Sequence, residues 1–288
     1  MTELSWVDYL KRRTGKSPDV LTGIGDDCAW VKLGREKFLL KSDLFIENVH
    51  FKLNTVGNSR DCSLHTIGQR AVARVLSDFA ACGGWPKFIG ISLGLPGHLN
   101  KKNLKLILSG VLKLAKQYKF SLVGGDTSKS SRLFLDVWGL GTVDKFIARD
   151  KAKTGDYIFV TGQLGNKPFN QPFRPRLEEA KILAKNFKLT SMIDISDGFI
   201  IDLCRILALS RKGACVAFAD VPVTGGRKDL YRGEDYELIF TVSPSDKKLT
   251  FLKKKFYCVG RIMPESFGCK IKKGNKLSKI ALKGYQHF

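Results

Sequence analysis

Carboxylates set into apolar and glycine-rich stretches are what most restricts the folds open to this chain. GIGDDCAWV carries Asp26 and Asp27, KSDLF Asp43, VLSDFAACGG Asp78, LVGGDTS Asp126, and MIDISDG both Asp194 and Asp197. A fold that buries these stretches must give each carboxylate a partner, because an isolated buried charge costs several kcal/mol. Two like charges about 4 Å apart at an effective dielectric of about 20 repel by roughly 4 kcal/mol, so converging carboxylates are either protonated or neutralised by cations. Metal binding is the first expectation.

Composition narrows the alternatives. A length of 288 residues, 43% of them hydrophobic, supplies the core of one large or two ordinary domains. The opening MTELSWVDYLKRRTG has no apolar segment like that of a signal peptide, and no later run approaches the ~18 apolar residues of a membrane span, so a cytoplasmic protein is expected. Seven cysteines, odd in number and without a CxxC pair, argue against a disulfide framework and a zinc site. The four histidines form no HExxH motif. A formal charge of +22 admits a nucleic-acid surface, yet the basic residues are spread along the chain. The densest stretches, KKLTFLKKK and KIKKGNKLSK, lack the aromatic interleaving used for base stacking and read as solvated basic faces.

Strand-like segments at 37–43, 87–96, 120–126 and 132–143 alternate with helical stretches at 63–82 and 101–117. A second series follows RDKAKTGD: YIFVTG, a helix near 177–187, SMIDISDG, a helix at 199–210, and strands around 214–219, 237–242 and 256–262. The pattern is α/β or α+β, with two closely packed domains, 1–147 and 148–288.

On the helix at 63–82, Leu64, Ile67, Ala71, Val75 and Phe79 fall on one arc at about 100° per residue, and Asp78 falls within it. Such a carboxylate is either salt-bridged, used as a cap, or a metal ligand. LVGGDTS lets backbone run close to a ligand and then offers Asp126 and Thr127 as oxygen donors, or is a plain turn. Ser196 and Asp197 open the apolar helix FIIDLCRIL, as N-caps or as ligands at an anion-attracting helix start. Adjacent Asp26 and Asp27 diverge if extended, one toward a metal and one outward. Glu234 and Asp235 of GEDYE stand at a strand mouth. There is no GxxxxGK[ST] loop, so a bound nucleotide would depend on hard cations held by oxygen ligands, and magnesium fits.

Taken in order, GIGDDCAWV, KSDLFIENVHF, VLSDFAACGGWP, ISLGLP, LVGGDTS, IARDKAKTGDYIFVTGQLG, MIDISDGFIIDL, GEDYELIFTV, VGRI and GYQHF resemble the thiamine-monophosphate kinase family over nearly the whole chain. That family lies in the aminoimidazole ribonucleotide synthetase superfamily. The resemblance implies a two-domain fold of that type, with an N-terminal mixed sheet with helices and a C-terminal α/β domain. It implies in-line transfer of the ATP γ-phosphoryl group to thiamine monophosphate, without a phosphoenzyme, and a homodimer formed through the N-terminal domain.

By motif, Asp27, Ser42, Asp43, Asp78, Asp126, Asp194 and Asp197 would hold several Mg2+ ions, Ser42 through its hydroxyl or backbone oxygen. Gly125, Asp126, Arg149 and Ser196 would contact ATP. His50, Glu234 and Tyr285 would contact the thiamine phosphate. Three departures accompany the match, the first being a basic excess, at a net charge of +22, that is large for the family. Lys41 stands where the family usually has a small hydroxyl residue, placing a cation able to compete with a metal or bind a phosphate, and the stretch between TGQLG and FRPRLEEA is short. Two other readings use the same residues: another ATP-dependent reaction of the superfamily, and a non-catalytic basic domain that binds nucleic acid.

Overall fold

A computed structural model describes residues 3–15, 17–53, 62–165 and 168–280. The first half contains α1 (Glu3–Arg13), β1 (Val20–Thr22), β2 (Ala29–Leu33), β3 (Glu36–Ile46), α2 (Leu64–Ala81) and β4 (Trp85–Leu95). It continues through α3 (Lys101–Tyr118), β5 (Ser121–Gly124), β6 (Thr127–Lys129) and β7 (Phe134–Thr142). These strands form one sheet in the order β1-β2-β3-β7-β4-β5, with β6 also on β4. All pairs are antiparallel except those of β4 with β5 and β6, which α3 joins by a crossover.

The second half holds β8 (Tyr157–Val160), α4 (Leu177–Asn186), β9 (Leu189–Asp194), α5 (Phe199–Ser210), β10 (Lys212–Ala217) and β11 (Leu238–Val242). It ends with α6 (Leu249–Lys255), β12 (Tyr257–Pro264), β13 (Cys269–Lys273) and β14 (Lys276–Lys279). Its sheet runs β14-β13-β10-β12-β8-β11-β9, with only β10 and β13 parallel. Mixed sheets with helices packed on them make the fold α+β.

Helix α2 ties the halves together. Ser63 caps it by accepting the Thr66 N–H at 3.1 Å, and almost every residue from Thr66 to Ala81 is buried, so the helix has no solvent face. It packs on β3, β7 and β4 of the first sheet and on β9 and α4 of the second. One hydrophobic cluster accordingly joins Ile67, Leu76 and Phe79 to Phe159, Met192 and Phe240. Among the described residues no helix is long and apolar enough to cross a membrane.

Alternation along β3 sets two different surfaces. Leu39, Lys41, Asp43 and Phe45 face α2, while Leu40, Ser42 and Leu44 face away. On that outer face Trp138 of β7 pairs with Ser42, and its ring lies flat on Gly90 of β4, where a Cβ would collide with the indole.

Candidate functional site

A cleft of about 1000 Å³ opens between the halves and is lined by residues of both. Asp27, in the turn before β2, Asp78, on the inner face of α2, and Asp194, the last residue of β9, meet in it. One carboxylate oxygen from each lies within 4.8 Å of the others. The triad exists because α2 passes beneath both sheets, bringing a helical carboxylate to a strand end and a glycine turn. Ser77, one residue before Asp78, orients the group by donating to Asp194 at 2.6 Å.

The cost of that convergence is visible in the acids. Burial, then the charge of Asp27, raises the Asp194 pKa to about 7. Burial, then Asp27, raises Asp26 to about 6. Burial likewise pushes Asp78 well above the usual carboxylate range despite the Lys41 ammonium 3.1 Å away. Burial acts upward on Asp43 too, but Arg74 and Lys41 outweigh it and hold that group below its ordinary value. Three close, dry carboxylates of hard oxygen donors fit a divalent cation such as Mg2+, which relieves like-charge repulsion that protein cations only partly offset.

Asp26 and Asp27 do not diverge as an extended segment would. Gly25 has φ +106°, which bends the chain, and the two side chains are only 7% and 0% exposed. Asp26 accepts the Asp27 N–H at 2.9 Å and the Arg149 N–H at 3.3 Å. Arg149 in turn clamps Asp27 through Nε at 2.9 Å and a second contact from Nη2. A Cβ on Gly25 would strike the Lys11 ammonium of α1, so this turn sits under a further cation.

At another part of the cleft the lining is mixed. His50 accepts the Ile46 N–H on Nδ1 at 3.0 Å and stacks on Phe45, which fixes the neutral ring's proton on Nε2. Glu234, at φ +65°, receives Arg70 and, at 3.2 Å, Arg74, whose Nε also donates to Asp43 at 2.8 Å. Its own N–H donates to the Ser196 carbonyl at 2.7 Å, locking GEDYE onto the MIDISDG turn. Tyr236 accepts from Arg74 at 2.9 Å and stacks on Phe173. Arg74 thus links α2, β3 and the GEDYE loop.

Ser196 and Asp197 line the cleft, and neither caps α5: the N-cap is Gly198, without a side-chain cap bond. Asp197 pairs with Arg205 at 2.6 Å, while Asp202 accepts the N–H groups of Asp197 and Gly198 and so holds the turn.

The structure brings together Asp27, Asp43, Asp78, Arg149, Asp194, Ser196, Asp197, His50 and Glu234 around one cavity. Ser42, Gly125 and Asp126 are not among its lining residues. The Ser42 hydroxyl points to the opposite sheet face and donates to Asp136 at 2.7 Å, as period-two alternation from Asp43 requires. Gly125 and Asp126 lie in the exposed segment between β5 and β6, where Asp126 accepts the Thr127 N–H at 2.7 Å. Tyr285 lies outside the described residues. Sequence reasoning passed over Arg74, Lys11, Arg205 and Tyr236. The spacing of Arg74 and Asp78, four apart on one helix, was the available signal for the first.

Residues 25–143 match the family model of AIR synthase related protein, N-terminal domain. A thiamine-monophosphate kinase of Buchnera aphidicola is 32% identical, over 97% of this chain and 96% of its own length. One from Bacillus subtilis is 30% identical with full coverage of both chains, at 100% each. Among solved structures, AaThiL complexed with AMPPCP and TMP superposes with a TM-score of 0.84 at 27% identity, covering 100% of this chain and 97% of that one. The hydrogenase maturation protein HypE, at 17% identity and a TM-score of 0.70, shares the fold.

Proposed function

Because the chain belongs to the thiamine-monophosphate kinase family, we propose that its interdomain cleft is where ATP and thiamine monophosphate meet, and that the buried carboxylates there hold Mg2+. The protein catalyses ATP-dependent phosphorylation of thiamine monophosphate. The observation that carries the site assignment is the Asp27, Asp78 and Asp194 triad, three buried acids from separate elements with oxygens within 4.8 Å of one another.

Asp27, Asp78 and Asp194, with Asp43 and Asp197 on the same cavity, are the candidate ligands; cations held there would supply positive charge against the donor and acceptor phosphates. The chain's own groups do the positioning. Arg149, on the segment after β7, is released from Asp27 to pair with a phosphate, leaving Asp27 for a cation. Ser196 and the nearby backbone of the MIDISDG turn bind the nucleotide phosphates. His50 presents Nε2–H to the acceptor phosphate, and Glu234, fixed by two arginines, borders the cationic thiamine moiety. An oxygen of the acceptor phosphate attacks the γ-phosphorus in line as the bond to the bridging β–γ oxygen breaks, giving thiamine diphosphate and ADP. That oxygen is largely ionised near neutrality, so no strong general base is required.

Leu40, Leu44, Phe88 and Trp138 give the first sheet an exposed apolar outer face, which supports a homodimer formed through the N-terminal domain. Ser42, Gly125 and Asp126 do not line this cleft. We place the domain boundary near residue 147, between the end of β7 and the start of β8, and the protein in the cytoplasm.

The test is purified protein incubated with ATP, Mg2+ and thiamine monophosphate, with thiamine diphosphate measured. Absence of product together with salt-sensitive RNA binding would favour the non-catalytic basic domain instead.

A further inference from the structure

Lys41 differs from the other cations around the cleft in how it is held. Its strand lies inside the sheet, with Leu40 registered on Ala29 of β2 and Lys41 on Gly139 of β7. The side chain therefore cannot leave with a moving loop. It points to the α2 side, between Leu39 and Asp43, and its ammonium lies 3.1 Å from Asp78, a member of the carboxylate triad. The side chain is 24% exposed, and that exposure is toward the cavity, which it lines.

Arg149, by contrast, sits on an unpaired segment and Arg205 near the middle of α5, and both cover acids at the cleft margin. A lysine ammonium is a compact charge with three donors, able to touch a carboxylate and phosphate oxygens together.

We propose that Lys41 is a resident cation of the active site: its ammonium permanently occupies the position beside Asp78 that would otherwise take a divalent ion. It stands in for that ion against the transferring phosphates. The inference rests on the metal reading given above. It makes Lys41 a residue that sets the metal stoichiometry of the site, with one divalent ion fewer per chain than the acids alone would hold.

The probe is Mn2+ alone, titrated into the full-length protein and followed by the electron paramagnetic resonance of the free ion. Lys41→Ser, which removes the charge and opens space, is expected to bind one more Mn2+ per chain than the unmodified protein. Its affinity for that ion should be at least roughly a hundredfold tighter than any at the same position in the unmodified protein. Lys41→Arg should keep the original stoichiometry. Equal stoichiometry and affinity in the Lys41→Ser and unmodified proteins overturns the inference while leaving the metal reading intact. No Mn2+ binding by the unmodified protein overturns both.

A second measurement does not depend on the serine variant folding. In 15N-lysine protein, the Lys41 Nζ resonance, assigned by its loss in Lys41→Arg, should stay at a shielded, slowly exchanging position when Mg2+ saturates the site. Its movement to the position of surface lysines would mean displacement by metal and would reject the role.

Discussion

The two faces of β3 invert the usual distribution of polarity. The face toward the interior carries Lys41 and Asp43 between Leu39 and Phe45, whereas the face toward solvent carries Leu40 and Leu44, 41% and 47% exposed, beside Trp138 and Phe88 at 38% and 46%. Charge faces inward where α2 supplies Asp78 and Arg74; apolar surface faces outward, where Leu40, Leu44, Phe88 and Trp138 are exposed among the described residues. In an antiparallel sheet with one solvated side the opposite pattern is expected. The exception teaches that this strand separates two kinds of surface: an inner one of charge set among apolar residues, where the metal site is proposed, and an outer apolar one, where the homodimer contact is proposed.

The largest effect should come from the inner face. Asp78→Asn is expected to lower turnover on the order of a thousandfold by removing one arm of the triad. Its circular dichroism and melting should stay near those of the unmodified protein, because the raised pKa of Asp78 already marks its charge as a cost to the fold. Near-normal turnover would separate the inner face from metal binding.

Arg74→Met tests whether that face is held by charge. It leaves Asp43 and Glu234 short of their partner, so urea unfolding should register a loss of about 3 kcal/mol. An unchanged midpoint would make this link between α2, β3 and the GEDYE loop dispensable.

On the outer face, Trp138→Glu should weaken self-association by roughly a hundredfold, the equivalent of about 2.7 kcal/mol, read by sedimentation velocity over a concentration series. A mass independent of that change would leave the outer apolar face without a partner of the same chain.

The smallest effect concerns pH. The folded pKa values of Asp194 and Asp26, about 7 and about 6, lie above the ~3.9 of an unfolded chain. Between about pH 4 and pH 7 the folded protein therefore binds protons that the unfolded chain releases, and the contribution of these groups to stability falls as pH rises. In metal-free protein, Asp194→Asn should raise the melting temperature at pH 8 relative to pH 5 by about 3 °C compared with the unmodified chain. Equal pH profiles for the two proteins would mean that Asp194 carries no such penalty.

Much of this architecture is legible in the sequence, for identifiable reasons. Helices α2, α3, α4 and α5 and the long strands β3, β4 and β7 have strong periodicity, and their observed limits lie close to the expected ones. Short or solvated pieces gave weaker signals. Helix α1 has a charged, polar sequence, and β13 and β14 lie within a lysine-rich stretch that reads as a basic face. The motif acids of GIGDD, VLSDF and MIDIS are brought into one site by the tertiary path, while their protein partners are not legible. That Arg149 clasps Asp27, or that Arg205 takes Asp197, depends on contacts over 122 residues in the first case and on a turn held by Asp202 in the second. The outer position of the Ser42 side chain was available from alternation with Asp43, since neighbours in a strand cannot share a face.

The burial of α2 has a consequence for how the cleft fills. A helix packed against both sheets and sharing their core acts as a common axle, and prising the halves apart would expose that core. If the cleft takes the phosphates as proposed, they would enter by exchanging partners with side chains already in place, Arg149 and Arg205 handing over their acids, rather than through a swing of one half against the other. On that proposal the waiting step would be the breaking of ion pairs, and the association rate is expected to respond to ionic strength more than to viscosity.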